Sequence, residues 1–273
     1  MYASFHTVGL PDISLIQAIE AIRKAGYTGI ELNAETLPWA APHITPDASP
    51  AERREARIEI AAAGLEVSAV GAHIPMLYSE AQRRRDAIDF VKGCNQLALD
   101  TGTRYVHILS GPAAKDVDRA TNWRWFTDAV AEVVEHGAGL GVTVGIEAIA
   151  GHMFHAANDY ALLESDLPGI PFKVNFDPSQ LIVQGADPLE VIDRFGERIA
   201  HVHMKDGLGS FPDFAFPPLG QGAIDFEALV GRLHDVGFEG ALSVEYEAQV
   251  FGYALTDEQI LKDSRDFLAR LGV

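Results

Sequence analysis

Three features of the chain predict a single (β/α)₈ TIM-barrel domain over residues 1–273: a repeated strand–helix alternation, a length suited to one such barrel, and no composition break that would divide it. The alternation opens with a strand at 2–7 and a helix at 12–25, where Asp12 and Ser14 stand as caps before LIQAIEAI. In IRKAGYTGIELN a glycine supplies the left-handed turn that stops the helix, and a short apolar run then forms the strand at 28–33. IAAAGLEVSAVGAH repeats this junction between a helix at 50–63 and a strand at 66–72. ALDTGTRYVHILSG ends a helix at 80–101 and begins a strand at 104–109. GAGLGVTVGIEA joins a helix at 121–139 to a strand at 142–147. A helix at 157–165 precedes a strand at 172–177, and Asp187-Pro188 starts a helix at 187–195 before the strand at 199–204. Asp225 caps a helix at 224–236, LHDVGFEGALSVEYE supplies the strand at 241–246, and a last helix occupies 256–271. Alternating elements with mostly apolar strands imply a parallel sheet, and eight units in this length favour closure into a barrel. A dinucleotide-binding open sheet would carry a glycine-rich turn after its first strand, where the chain reads TVGLPD.

Composition narrows the function. With 48% hydrophobic and 22% charged residues the chain is expected to be an ordinary globular protein with a large core. No apolar run approaches the roughly 20 residues of a membrane span, and MYASFHTVGLPD lacks the pattern of a secretory signal, so a cytoplasmic location is expected. Cys94 is the only cysteine, which excludes an intrachain disulfide and suits a buried structural thiol on a helix. A net charge of −18 repels phosphate backbones and anionic lipid, so neither nucleic acid nor membrane is an expected partner. A homo-oligomer or a partner subunit is left open.

Barrel chemistry takes place at the carboxyl ends of the strands. There the chain places His6, Glu31, Asn33, His73, His107, Glu147, Asp177, His203 with Lys205 and Asp206, and Glu245 with Glu247. VGIE, VNFD, HVH and SVE end four successive strands and bring Glu147, Asp177, His203 and Glu245 to one rim. Three carboxylates so close would repel and raise one another's pKa, whereas a divalent cation removes the conflict. Oxygen-rich ligation with one histidine points to one divalent metal, Mn²⁺ first, with Mg²⁺ or Co²⁺ as alternatives. His201 shares a strand face with His203 and is expected to pack behind it.

On these residues the sequence resembles the xylose isomerase-like barrels, the sugar phosphate isomerase/epimerase group. That group also holds ketose 3-epimerases, hydroxypyruvate isomerases, keto-inositol isomerases and dehydratases, and endonuclease IV. The likeness covers nearly the whole chain and is strongest in FKVNFDPSQLIVQGADPLEVIDRFGERIAHVHMKDG and PPLGQGAIDFEALVGRLHDVGFEGALSVEYE. It implies the same four metal ligands, and Glu147 and Glu245 as the acid/base pair. Two departures bear on the reaction. Gln180 stands where ketose 3-epimerases usually place a histidine, and HMKDG lacks their arginine beyond the metal-binding histidine. HMKDG and PLGQGAIDF are more similar to the keto-inositol and 3-keto-glycoside branch.

The expected reaction is isomerisation or epimerisation of a small sugar or keto-polyol through an enediolate, after a proton leaves the carbon beside a carbonyl. A lyase on the same scaffold shares that first step and ends in loss of a leaving group, as a keto-inositol dehydratase or a 3-keto-glycoside or C-glycoside eliminase. An endonuclease IV-like nuclease would need a basic DNA track, which the charge opposes. A barrel that only binds would show substrate binding without turnover. His73, His107, His152, Gln180 and Lys205 are candidate substrate contacts, with His107, His152 and His155 as candidate acids for a leaving group. Trp39, Trp123 and Trp125 are expected in βα loops as a wall for a sugar ring, and LPWAAPHITPDASP as a lid or a spacer. No glycine-rich phosphate cradle stands out, which favours a sugar without phosphate.

Overall fold

The computed structural model describes residues 1–273. In chain order the strands are β1 (Tyr2–His6), β2 (Gly29–Asn33), β3 (Glu66–Ala72), β4 (Tyr105–Ile108), β5 (Thr143–Glu147), β6 (Lys173–Phe176), β7 (Ile199–Met204), β8 (Leu208–Ser210), β9 (Asp213–Ala215) and β10 (Ala241–Val244). The helices are α1 (Leu15–Lys24), α2 (Pro50–Ala62), α3 (Ala81–Thr101), α4 (Arg119–Leu140), α5 (Ala157–Asp166), α6 (Pro178–Ile182), α7 (Leu189–Phe195), α8 (Phe226–Asp235) and α9 (Asp257–Arg270). Eight strands close into a parallel barrel in the order β1-β10-β7-β6-β5-β4-β3-β2. All eight fall within the segments the sequence predicts.

Two elements were not anticipated. β8 and β9 form an antiparallel hairpin in the loop after β7. The short α6 starts directly after β6 because Asp177 caps it: Ser179 N–H donates to Asp177 Oδ1 at 2.8 Å, and Pro178 occupies the first helical position. Elsewhere the expected caps act as capping chemistry demands. Ser14 forms a capping box with Gln17, while Asp225 accepts from Ala228 N–H at 3.0 Å. Gly102 and Gly141 end α3 and α4 at φ of 109° and 72°, the left-handed region a side chain rarely enters.

The apolar core lies between the sheet and the helices, in one cluster of 61 buried residues. Strand alternation puts Ile30, Val106, Ile146, Val202 and Met204 on that outer face. The opposite parity points inward and is polar: Ser4, Glu31, Tyr105, His107, Asn175, His201, His203 and Ser243 are all buried. This interior is a hydrogen-bonded network instead of the usual layers of branched aliphatics. Ser4 Oγ and Ser68 Oγ, for instance, lie 2.7 Å apart across it. No helix is long and apolar enough to cross a membrane.

Cys94 is fully buried on α3 within the apolar core, and burial pushes its thiol pKa well up. Cys94→Ala is expected to cost about 1 kcal/mol of stability and to leave turnover within a few-fold. Loss of all activity with an unchanged melting temperature would contradict a purely structural thiol.

Candidate metal centre and pocket

β5, β6, β7 and β10 are consecutive neighbours in the barrel, so their carboxyl ends meet on one rim. Glu147 closes β5, Asp177 follows β6, His203 sits in β7 and Glu245 follows β10. One ligand atom from each of the four lies within 4.8 Å of the others, and all four residues are buried. Glu147 Oε1 has no hydrogen-bond partner, and Asp177 Oδ2 is met only by the Lys205 ammonium, at 3.0 Å. Burial, together with Glu147 and Glu245, raises the Asp177 carboxyl to about 6 against the pull of Lys205. An orphaned buried oxygen in a compact set of three carboxylates and one imidazole fits a divalent cation. These four side chains are the ones that would hold it.

The Lys205 ammonium already offsets part of this charge. It lies 2.5 Å from Glu245 Oε2, 2.9 Å from Glu247 Oε2 and 3.0 Å from Asp177 Oδ2. Burial works against a charged lysine, but these carboxylates outweigh it and hold the pKa well above normal. Lys205 is therefore a fixed cation beside Glu245.

Beneath the cluster, more carboxylates and imidazoles touch His203 and Glu147. His203 presents Nδ1 to Glu147 at 3.1 Å and Glu245 at 3.3 Å, while its Nε2 is 3.1 Å from Glu31 Oε1. A carboxylate behind a ligating imidazole fixes the ring and its tautomer. Glu31 also meets His107 Nε2 at 2.5 Å and His201 Nε2 at 2.8 Å, with His6 Nδ1 at 3.6 Å. Burial opposes its charge, yet the four imidazoles hold Glu31 well below the usual carboxylate range. Asn175 donates to Glu147 Oε2 at 2.6 Å and accepts from the Tyr105 hydroxyl at 3.4 Å. Gly145 makes room for that hydroxyl, because a Cβ there would lie 1.9 Å from Tyr105 Oη. Glu31 and His6, which the sequence already placed at strand ends, thus support the site from beneath, and Asn175, which the sequence did not single out, joins them.

The centre opens into a cavity of about 270 Å³. Glu147 and Glu245 line it, together with His73, His152, Gln180 and Lys205, whereas Asp177 and His203 do not. Gln180 Oε1 accepts from Ala150 N–H at 3.2 Å, which holds the loop after β5 in place. His107 does not line the cavity: it is fully buried, with Nδ1 2.6 Å from His73 and Nε2 against Glu31. Burial and the neighbouring His73 lower it to about 3. His73 is the opposite case; burial disfavours its charge, but Glu147 and Glu35 raise it to about 9. His155 also lies away from the cavity, 3.5 Å from Asp159. Of the tryptophans, only Trp39 lines the cavity, through the loop LPWAAPHITPDASP. Trp123 and Trp125 belong to α4, where Trp123 donates to Asp166 at 2.7 Å and Trp125 carries Arg84 over its ring. The aromatic wall comes instead from Phe214 and Phe216 of the hairpin and from Phe251.

Asp206 anchors that wall. Its carboxylate accepts from the backbone N–H of Gly207, Gly220, Gly222 and Ile224, which ties both ends of the hairpin loop together. Asp206→Ala orphans four donors, and the loss expected is about 2 kcal/mol. Backbone amides of 207–224 should exchange with deuterium faster and the Michaelis constant should rise several-fold. Unchanged exchange there would show that the loop holds itself.

A family model described as the xylose isomerase-like TIM barrel matches residues 19–271. The chain belongs to that family. Over 255 residues, covering 90% of each chain, it is 21% identical to the fructoselysine 3-epimerase of Escherichia coli O157:H7. Over 113 residues it is 31% identical to the inosose dehydratase of Lacticaseibacillus casei, which covers 33% of this chain and 38% of that protein. A crystal structure of the IolI protein with a bound zinc atom superposes with a TM-score of 0.81 at 17% identity, covering 99% of this chain and 98% of that one. This protein is accordingly an enzyme of a family that includes epimerases and dehydratases, with a buried cluster suited to a divalent metal.

Proposed function

We propose that the protein is a metal-dependent isomerase or epimerase of a small sugar or keto-polyol, its 273 residues acting as one domain. One observation carries this reading: of the four clustered side chains only Glu147 and Glu245 face the cavity, and they come from the two outermost of the four adjacent strands. Asp177 and His203, between them, are left to ligation. A divalent ion, Mn²⁺ first and Mg²⁺ or Co²⁺ next, would supply Lewis acidity to a ketone and its neighbouring hydroxyl. One glutamate takes the proton from the carbon beside the carbonyl. The other, on the opposite flank, returns a proton to the enediolate. Return to the same carbon on its other face gives an epimer, and return to the former carbonyl carbon gives an aldose–ketose shift. Lys205 stabilises Glu245 as the anion ready to accept, while protonated His73, 3.3 Å from Glu147, supplies the proton that Glu147 returns to the enediolate.

The stretch of likeness to inosose dehydratases favours a second reading, elimination after the same first proton transfer. His152 lines the cavity but is lowered to about 4 by burial and His73, so it is neutral at pH 7, and protonated His73 is the acid available to a leaving group.

Metal-loaded protein in D₂O, given ketoses, keto-inositols and 3-keto-glycosides, tests both readings by NMR. C–H exchange with an epimer or an aldose–ketose product supports the isomerase. An unsaturated product establishes the lyase. Absence of exchange across the panel with metal bound would refute both for these substrates.

A further inference from the structure

We propose that Glu35 forms a second binding pole of the cavity, which holds a hydroxyl of a neutral polyol substrate at the end remote from the reacting carbonyl. The inference deepens the reading above and rests on it for the nature of the substrate.

Glu35 follows β2 by two residues. Going round the barrel from β2, β6 is reached after β3, β4 and β5 in one direction and after β1, β10 and β7 in the other. Glu35 therefore stands across the mouth from Asp177, with Glu245 two strands away on one side and Glu147 three strands away on the other. It lines the same cavity as Glu147 and Glu245, beside His73 and Trp39. A ligand held at the cluster has its far end on this side.

The side chain is 1% exposed, and neither carboxyl oxygen has a hydrogen-bond partner. Burying a carboxyl is unfavourable, and the His73 and His6 imidazoles with the nearby backbone N–H groups of His73 and Glu35 offset only part of that cost, since the pKa stays raised. Asp206, by contrast, is as deeply set and spends its oxygens on four backbone N–H groups. His6 also makes no hydrogen bond, but it has Glu31 at 3.6 Å and Glu245 at 3.5 Å and does not line the cavity. Glu35 is the unpartnered carboxyl at the wall opposite Asp177, so its partner comes with the ligand. Burial raises its pKa in spite of His73 and His6. In either protonation state it can hold a hydroxyl, accepting as a carboxylate or donating as an acid.

Charge decides the class of ligand. Lys205 is the only lysine or arginine lining the cavity, and it is already paired with Asp177, Glu245 and Glu247. A phosphate or carboxylate at the far end would meet Glu35, with protonated His73, already 3.3 Å from Glu147, as the one neighbouring cation. The site therefore fits a neutral polyhydroxylated ketone and rejects its phosphate or acid.

The test is equilibrium binding of D-fructose, 6-deoxy-D-fructose and D-fructose 6-phosphate to the Mg²⁺-loaded protein, by calorimetry or saturation-transfer NMR. The carbonyl fixes the orientation of all three, and the last two alter only the far end. Wild type should bind D-fructose about ten-fold more tightly than the 6-deoxy sugar and the phosphate more weakly than either. Glu35→Ala should erase the gap between the first two by weakening D-fructose, and Glu35→Gln should restore part of it. Mg²⁺ affinity should stay the same in both variants, and the melting temperature should not fall. The same gap in Glu35→Ala as in wild type, no gap in wild type, or no D-fructose binding would each overturn the proposal. A clear fall in melting temperature would assign Glu35 to the fold instead. Absence of C–H exchange in wild type, with the gap present, would defeat the isomerase reading and leave this binding pole standing.

Discussion

Glu147→Gln and Glu245→Gln are each expected to lower turnover by about 10³-fold or more, because each removes a proton carrier and a ligand charge together. The two losses can be separated. At saturating Mn²⁺, confirmed by calorimetry, ligation is restored and the remaining defect is proton transfer. The two glutamates stand on strands separated by β6 and β7, so each serves one face of the substrate. A single variant should then stop formation of the epimer while the surviving glutamate still exchanges the C–H on its own face. Glu245 has the Lys205 ammonium at 2.5 Å, and Glu147 has Asn175 at 2.6 Å and His73 at 3.3 Å. Both are held well below the usual carboxylate range, since their cationic neighbours outweigh burial. Both are therefore carboxylates in the resting protein, Glu245 ready as the base and Glu147 receiving its proton from His73, and the reaction should persist to mildly acidic pH. Wild-type turnover in either variant would remove that glutamate from the chemistry.

The barrel and its rim were legible because both are written locally. A glycine after a helix and an apolar run after the glycine announce each strand, and each of Glu147, Asp177, His203 and Glu245 ends its strand. The period-2 rule also placed His201 beneath His203, where it bonds Glu31. What stayed hidden depends on contacts across the barrel. Glu31 and His203 are 172 residues apart, and nothing near GIELN marks that glutamate as the partner of four imidazoles. A charge in mid-strand was the available sign. His107 looked like a rim residue for the same reason that Glu147 did, but its strand sets it one layer deeper. The hairpin Leu208–Ala215 was read as loop because its strands have three residues each, too short for a periodic pattern. Trp123 and Trp125 fall in the helix that starts at Arg119, and the predicted span 121–139 already held them, so their placement in a βα loop conflicted with the helix pattern itself.

Glu31→Gln should give the largest stability loss of any single change in the site. A carboxylate with His107 at 2.5 Å, His201 at 2.8 Å and His203 at 3.1 Å is replaced by a neutral amide of the same shape. Removing one partner of a buried charged set costs about 3 kcal/mol or more, because the charge left behind has lost its counterpart. His203 is that charge: burial works against its proton, but Glu245, Glu31 and Glu147 hold its pKa well above the usual histidine value. The sign with pH follows from linkage. Glu31 is depressed in the folded protein, so its contribution is fully present above the ordinary value of 4.5 and is lost as pH falls through the folded value. Urea unfolding should therefore show the gap between wild type and Glu31→Gln at its widest at pH 6 to 7 and narrowing below pH 4.5. A gap that widened with acid would mean that the glutamate is protonated in the folded state. The same substitution should weaken Mn²⁺ binding about 10- to 100-fold, although Glu31 is not itself one of the four clustered ligands. Metal affinity equal to wild type, with the stability loss present, would show that the imidazole is oriented by Glu147 and Glu245 alone and that Glu31 serves only the barrel interior.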